Sequence, residues 1–517
     1  MKIVIPMAGF GERFQKAGYK EIKPLIKVGD KPMIQHVVET FPSEEEFIFI
    51  CNKDHLKTTN LEVVLKKLKP KSQIIGIEPH RGGAVDTFLA AESHIPDDEE
   101  IIFNYCDFTL EWNYKDFLRA VRNGNYDASL PSFIGFHPAS LGNVYYCYVK
   151  TDEKNNALEV REKMSFTNNK MNEFASTGTF YFKKGSLAKK YAHKLVESGI
   201  VAENSERYFS LLFNIMIKDG LRVNVYEVAK FICFGTPHDV RQYEFWYDVF
   251  KTPRKIHRTK AHDSTTLIPA AGRGKRFADV GYKIMKPLIH VNGKPMIVKS
   301  VENLPPTTKT IFVCSENQLK DGLEDVLKKD FPGCHIISVK ETTPGMVNTC
   351  LLAKDLWNPK KPLLISACDY DMHYDVEKFN NLIKNPIIDV VIWTFRNHEC
   401  VFRNPKAYAY VAVDGNGNAT RIVEKATISD SPGNDHAVVS VFWYRTAKLF
   451  EDGAVKLLEA KHTVGGEYYV ATSINKLIEA GKRVVPFEVE KFICWGTPND
   501  LKEYEYWQDY FSKHPST

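Results

Sequence analysis

Ile5 to Ile34 reads IPMAGFGERFQKAGYKEIKPLIKVGDKPMI, and Ile268 to Ile297 reads IPAAGRGKRFADVGYKIMKPLIHVNGKPMI. The two stretches align without a gap at an offset of 263, with 19 of 30 positions identical. A self-match at fixed offset marks a tandem repeat. In each copy an apolar, strand-like run (Lys2 to Pro6; Thr265 to Pro269) enters a glycine-rich turn and then a basic, helix-compatible segment. The turn carries Ala8, Gly9 and Gly11 in the first copy, and Ala271, Gly272 and Gly274 in the second. Glycines let backbone N–H groups approach a phosphate closely, and a following helix N-terminus adds partial positive charge. Arg13 and Arg276 stand two residues after the second glycine, and Lys23 and Lys286 ten further on, each before a proline. An arginine fork and a lysine point charge together can neutralise a polyphosphate.

Two common phosphate motifs are excluded. A dinucleotide fingerprint needs a third glycine where Phe14 and Phe277 stand. A Walker loop, G-x-x-x-x-G-K-[ST], occurs in neither copy. The motif that is present, G-x-G-x-R followed by K-P-L-I at identical spacing, resembles the signature of the sugar-phosphate nucleotidylyltransferases (nucleoside-diphosphate-sugar pyrophosphorylases). The resemblance covers nearly the whole chain as two copies. It implies two tandem Rossmann-like (GT-A-like) domains, a nucleoside triphosphate and a phosphorylated small-molecule acceptor as substrates, and Mg²⁺ as cofactor.

The repeat divides the 517 residues into copies at 1–250 and 265–517, joined by a basic, polar linker at 251–264 and ending in a loose HPST tail. Short β-rich runs (KIVIP, EFIFICN, SQIIGIEP, EIIFNYCDF, ASLPSFIGF, RVNVYEV) alternate with helical stretches such as Lys31 to Phe41 and Thr87 to Ser93. That alternation predicts three-layer α/β domains with mostly parallel sheets, whose ligands sit at the carboxyl ends of the strands. The later part of each copy holds a β-hairpin with a polar tip, read as the acceptor-binding lobe.

Net charge is only +5 and is spread along the chain, which gives no case for nucleic-acid or membrane binding. No apolar run is long enough to span a membrane and no signal-peptide pattern opens the chain, so the expected location is cytoplasmic. Oligomeric state is left open. The ten cysteines include no C-x-x-C pair; Cys51, Cys106 and Cys233 recur as Cys314, Cys368 and Cys494, and are expected to be buried reduced thiols in or beside strands.

Asp107 and Asp369 follow an apolar strand at its carboxyl end, where a hard cation would be held against nucleotide phosphates or where an aspartate would cap a helix. The family resemblance points to Mg²⁺. By the same resemblance, the loops around Gly83 and Gly345 pack near base and ribose. The pairs Glu162-Lys163 and Glu424-Lys425 match the sugar-phosphate motif, lysine binding the acceptor phosphate and glutamate an acceptor hydroxyl. Gly178 lies close to the acceptor in the family, and its counterpart here is Ser440. KFICFGTPHD and KFICWGTPND agree at eight of ten positions, but Cys233 and Cys494 stand where many family members carry a second metal-binding aspartate. Asp239 and Asp500 are expected to cap the following helix.

The expected reaction is nucleotidyl transfer for activated precursors of surface polysaccharide. The second copy, with its P-G-M-V-N-T loop, leans towards cytidylyltransferases. Two alternatives stand beside it: a degenerate nucleotide- or sugar-binding regulatory module in one or both halves, and a GT-A glycosyltransferase. The second copy has the D-x-D spacing of the latter at Asp369 and Asp371, and the first lacks it.

Overall fold

The computed structural model describes residues 1–142, 145–202, 206–252 and 260–514. The chain divides into two compact units, Met1–Phe250 and Lys251–Thr517. The last helix of the first unit, Pro237–Lys251, and the first strand of the second, His262–Pro269, reach into the stretch read as a linker, whose residues 253–259 lie outside the described residues. Of the expected tail, residues 515–517 also lie outside them.

In the first unit four strands run parallel in the spatial order Ile101–Asn104, Lys2–Met7, Phe47–Asn52, Gln73–Ile77. Their apolar runs are continuous because both faces are covered. Val4, Ile48, Ile50 and Phe103 belong to one core cluster, while Ile3, Ile5, Phe47, Phe49 and Ile102 belong to another. Alternate residues of one strand point to opposite faces, so two cores flank one sheet and the three-layer architecture follows. Helices such as Met33–Glu39 and Gly185–Glu197 supply the outer layers: Ile34, Val37 and Val38 pack into one core, and Ala188, Tyr191 and Leu195 into the other. The sheet continues antiparallel through Thr179–Phe182 and Ala128–Phe133 to Phe174–Ser176 and the hairpin Cys147–Thr151/Ala157–Glu162.

The second unit repeats this plan. His335–Val339, Thr307–Ser315, His262–Pro269 and Leu363–Ser366 are parallel neighbours. The strand His436–Tyr444 then joins the hairpin Ala409–Val413/Ala419–Glu424 to the sheet. Here nine residues form one strand, where the first unit has two strands broken at Thr177-Gly178. The helix read over Lys31 to Phe41 begins at Met33, because Lys31–Pro32 pairs with Lys27–Val28. The helix read from Thr87 begins at Ala84, and a separate 3₁₀ turn covers Glu92–His94. All ten cysteines are free thiols. No described helix is long and apolar enough to cross a membrane.

Candidate active site

The parallel strands end on one edge of the sheet, and the loops that leave them there hold most of the predicted residues. The strand Lys2–Met7 delivers the turn Ala8 to Gly11, Gln73–Ile77 the loop to Gly83, and Ile101–Asn104 the segment Tyr105 to Asp107. Together they line a cavity of about 520 Å³ that also takes in Arg13, Lys23, His80, Thr87, Glu206 and Gly235. That size suits a nucleotide. A side chain at Gly9 or Gly272 would meet no protein atom within 4 Å, so both glycines face open space. The helix after the turn is only five residues in each unit, so its dipole adds little, and an anion placed here would be held by the turn and the cationic side chains. Arg13 and Arg276 are exposed and form no ion pair among the described residues.

Lys23 Nζ lies 2.5 Å from Asp107 Oδ2 and 3.5 Å from the Gly235 carbonyl oxygen. Lys286 Nζ lies 2.5 Å from Asp369 Oδ2 and 3.3 Å from the Gly496 carbonyl oxygen. Burial alone would pull both ammonium groups down, but the adjacent carboxylate overcomes it and holds each above its ordinary pKa. Both lysines are therefore charged, and each is held largely buried by its aspartate.

The G-T-P segment is brought to this pair by a two-stranded ribbon, Phe108–Glu111 with Lys230–Cys233, or Tyr370–His373 with Lys491–Cys494. A Cβ placed on Gly235 would lie 3.3 Å from Cys233 Sγ and 3.5 Å from Asp107 Oδ2, so thiol and carboxylate flank one glycine. Burial pushes Cys233 and Cys494 well above the usual thiol range, with the nearby carboxylates adding to it, so both are neutral. Asp239 Oδ2 accepts from Thr236 N at 2.8 Å and Thr236 Oγ1 at 2.7 Å, and Asp500 does the same with Thr497 at 3.0 and 2.6 Å. Thr497 is the N-cap and Asp500, at the third helical position, closes a capping box; Thr236 and Asp239 make the same bonds, so the aspartates take part in capping without being the N-cap residues.

Among the described residues no group of three or more His, Cys, Asp or Glu side chains could hold a metal ion. Each site offers one strand-end carboxylate beside a neutral thiol; a second carboxylate, Asp239 or Asp500, lies 3.6 or 3.5 Å from that thiol but is engaged by the threonine of G-T-P. Mg²⁺ is bound through one or two carboxylates plus substrate phosphates, whereas a soft neutral thiol is a poor ligand for it. The donor set therefore fits a cation carried in on a triphosphate and does not fit one held by protein ligands alone. Asp371, the second aspartate of the D-x-D spacing, is buried and accepts from Met372 N at 2.7 Å and from Asn303 Nδ2. Its carboxylate is thus committed to protein donors.

Gly83 and Gly345 also have a packing role. A Cβ on Gly83 would lie 2.9 Å from Arg207 N, and one on Gly345 2.4 Å from Tyr468 N, because a second backbone segment docks against each loop. The docking bonds are Arg207 N to Gly82 O (3.1 Å) and Tyr468 N to Pro344 O (3.0 Å). Around them the copies diverge. Asp86 pairs with Arg207 at 3.0 Å in the first, where the second has Asn348 and Tyr468. Arg81 reaches from this loop to Glu12 (2.6 Å) and over Phe10; in the second unit Arg273, at the Phe10 position, reaches back to Thr342 Oγ1 (2.8 Å).

On the acceptor side, Lys163 and Lys425 end their hairpin strands with φ of 59° and 54°. A non-glycine residue at positive φ is uncommon and is strained when bulky, and it recurs here at one position in both units. Ser210 Oγ donates to Glu162 Oε2 at 2.6 Å. The second unit has Ala471 in place of Ser210, and burial raises the Glu424 carboxyl to about 7, Lys425 opposing and Glu467 adding to the shift. Lys163 Nζ donates to Tyr145 O at 3.0 Å, whereas Lys425 Nζ donates to Tyr469 Oη. Gly178 has φ 93° and Ser440 φ 70°. In the first unit the cavity is lined by Ala8, Gly9, Gly11, Arg13, Lys23, Gly83 and Asp107, whereas Glu162, Lys163 and Gly178 are not among its lining residues. Sequence reasoning missed Tyr105, Ser210 and Arg207, although an aligned comparison of Tyr105 with Ala367, next to the recurring Cys106/Cys368, carried the signal.

Over 231 residues the chain is 24% identical to the bifunctional protein GlmU of Methanocaldococcus jannaschii, covering 44% of this chain and 50% of that protein. Over 251 residues it is 24% identical to the low-salt glycan biosynthesis nucleotidyltransferase Agl11 of Haloferax volcanii, covering 46% and 64%. The alignments thus span about half to two-thirds of these relatives. The crystal structure of a nucleoside-diphosphate-sugar pyrophosphorylase from Vibrio cholerae aligns over 47% of this chain and 98% of its own, at 20% identity and a TM-score of 0.39. The family model for nucleotidyl transferases matches twice, at residues 2–249 and 265–510, and the chain accordingly belongs to the nucleotidyl transferase family.

Proposed function

We propose that each half transfers a nucleotidyl group from a nucleoside triphosphate to a phosphorylated acceptor, a sugar 1-phosphate or similar molecule, and releases pyrophosphate. The observation that carries this reading is the lysine–aspartate pair at 2.5 Å, set the same way beside the glycine turn in both halves. An acceptor phosphate oxygen attacks the α-phosphorus in line; the new P–O bond forms as the bond to the bridging oxygen breaks, and pyrophosphate leaves. The nucleophile is already anionic at neutral pH, so no general base is required, and catalysis is positioning plus charge neutralisation. Arg13 and Arg276 hold the leaving pyrophosphate. Lys23 and Lys286 stabilise charge on the α-phosphate. Lys163 and Lys425 bind the acceptor phosphate, and Glu162 and Glu424 an acceptor hydroxyl. Mg²⁺ arriving on the triphosphate would be held by Asp107 or Asp369 and would neutralise phosphate charge there.

The glycan-biosynthesis name of one relative supports a role in making activated precursors of surface polysaccharide, and the second half's glycine loop supports CTP as its triphosphate. The missing second carboxylate and the serine at 440 favour, as a second reading, a half that binds without turning over. The test is pyrophosphate release by Lys23→Met and Lys286→Met chains with a panel of triphosphates and acceptors. Each variant is expected to lose one activity and keep the other; full activity of both variants on every pair would contradict the assignment.

A further inference from the structure

The first half places an aromatic ring where its two substrates would meet, and the second half has removed it. Tyr105 lines the cavity two residues before Asp107. Its ring packs edge-on to Phe103 at 5.4 Å, and its hydroxyl oxygen is 3.4 Å from Phe209 N, one residue before the Ser210 that binds Glu162. Tyr105 thus stands between the proposed nucleotide end and the proposed acceptor end of the cleft. A Cβ on Gly178 would lie 2.6 Å from Tyr105 Cδ2 and 3.2 Å from Phe108 Cε1. The ring and a side chain at 178 are mutually exclusive.

The second half carries the opposite choice at both positions, with Ala367 for Tyr105 and Ser440 for Gly178. Its neighbours have changed with them. In the first half Asn104 Nδ2 donates to Tyr105 O at 2.7 Å and Asn104 Oδ1 accepts from Thr179 at 2.6 Å, which fixes the backbone under the ring. In the second half Ser366 replaces Asn104 and Tyr370 replaces Phe108, and these two hydroxyls lie 2.7 Å apart. Tyr370 Oη also donates to Ser440 O at 3.3 Å, bracing a serine held at φ 70°. By the geometry at Gly178, the Ser440 side chain points into the space the tyrosine ring vacates. Its Oγ makes no hydrogen bond to another described residue, and Ser440 is only partly buried. A strained serine with an uncommitted hydroxyl, kept where glycine would be relaxed, indicates a role towards a ligand.

We propose that Tyr105 with Gly178, and Ala367 with Ser440, are the specificity-determining pairs of the two halves: the first admits the smaller phosphorylated acceptor, and the second a bulkier one that Ser440 Oγ hydrogen-bonds. This rests on the nucleotidyl-transfer reading, which it sharpens by assigning the halves different acceptors. The probes are glucose 1-phosphate and N-acetylglucosamine 1-phosphate, which share phosphate and ring and differ by an acetamido group. In full-length chain carrying Lys286→Met, pyrophosphate release reports the first half. Gly178→Ser is expected to lower its kcat/KM at least tenfold. Adding Tyr105→Ala is expected to restore activity and to shift the ratio of the two acceptors at least tenfold towards the bulkier one, a rescue that a purely structural tyrosine would not give. In a Lys23→Met chain, Ala367→Tyr with Ser440→Gly is expected to shift the second half the other way. Full activity of Gly178→Ser alone, or an active double variant with an unchanged ratio, overturns the proposal. If neither parent half releases pyrophosphate, the transfer reading fails instead. The size rule is then decided by calorimetric Kd values of the same variants for the two sugar phosphates, and an unchanged ratio overturns it.

Discussion

The two halves keep one set of residues and vary another. Lys23, Asp107 and Cys233 superimpose in role on Lys286, Asp369 and Cys494, with the same lysine–carboxylate distance and the same neutral thiol beside it. Away from that point the copies part: Arg81 and Phe10 against Thr343 and Arg273, Asp86 against Asn348, Ser210 against Ala471, Tyr105 with Gly178 against Ala367 with Ser440. Groups that would meet phosphates are constant, as are the acceptor glutamates Glu162 and Glu424, whereas several other groups that would meet base or acceptor are not. On the proposed reading, the duplication preserved one chemistry and freed two recognition surfaces.

The largest expected effect tests the constant part. Removing one charge contact to a transition state costs roughly 3–4 kcal/mol, about 10²–10³ in rate. Lys23→Met and Lys286→Met should each lower turnover of their own half by that factor, measured as pyrophosphate release. Arg13→Ala and Arg276→Ala should cost less, since both side chains are exposed and their charge is screened by solvent.

A smaller effect separates the acceptor sites by pH. The Glu424 carboxyl is raised to about 7 chiefly by burial. A raised carboxyl holds its proton longer in the folded than in the unfolded chain, so it costs stability progressively as pH climbs from about 4.5 to about 7 and adds no further change above. If its ionised form receives the acceptor hydroxyl, kcat/KM of the second half should rise through pH 7. The acceptor's own phosphate titrates near pH 6 and affects both halves alike, so the comparison of the two profiles isolates the residue. Glu424→Gln should flatten the second-half profile near pH 7; an unaltered profile would remove Glu424 from the acceptor site.

The smallest effect concerns strain at Ser440. A left-handed non-glycine residue costs of order 1–2 kcal/mol, partly offset by the roughly 0.5–1 kcal/mol of extra chain entropy that glycine loses on folding. Ser440→Gly should therefore stabilise the protein by about 0.5 kcal/mol in denaturant unfolding, while Gly178→Ser in the first half should destabilise it. Equal and opposite changes at the two positions would show that backbone strain alone distinguishes them.

Much of this was legible in the sequence because the repeat supplied an internal control. The glycine turn, the basic residues and the strand-end aspartates recur at nearly fixed offsets, and buried parallel strands read as continuous apolar runs whatever surrounds them. The exact starts of helices were less legible: Met33 and Ala84 begin theirs because Pro32 and Gly83 carry extended or left-handed backbone that the apolar pattern does not register. The exchange of Tyr105 and Gly178 for Ala367 and Ser440 was half visible. The glycine was singled out by resemblance, but its partner is 73 positions away in sequence, and only the close approach of the ring joins them. The burial of Asp371 and its bond to Asn303 were hidden as well, since D-x-D spacing does not register a partner 68 positions away.

The most direct test is pyrophosphate release by the full-length chain with Mg²⁺, crossing CTP, UTP, GTP, dTTP and ATP with sugar 1-phosphates and small phosphorylated alcohols, repeated with Lys23→Met and Lys286→Met. The account predicts two acceptor profiles, one lost with each lysine. A single profile that both variants retain, or no release with any pair while nucleotide still binds, would contradict it.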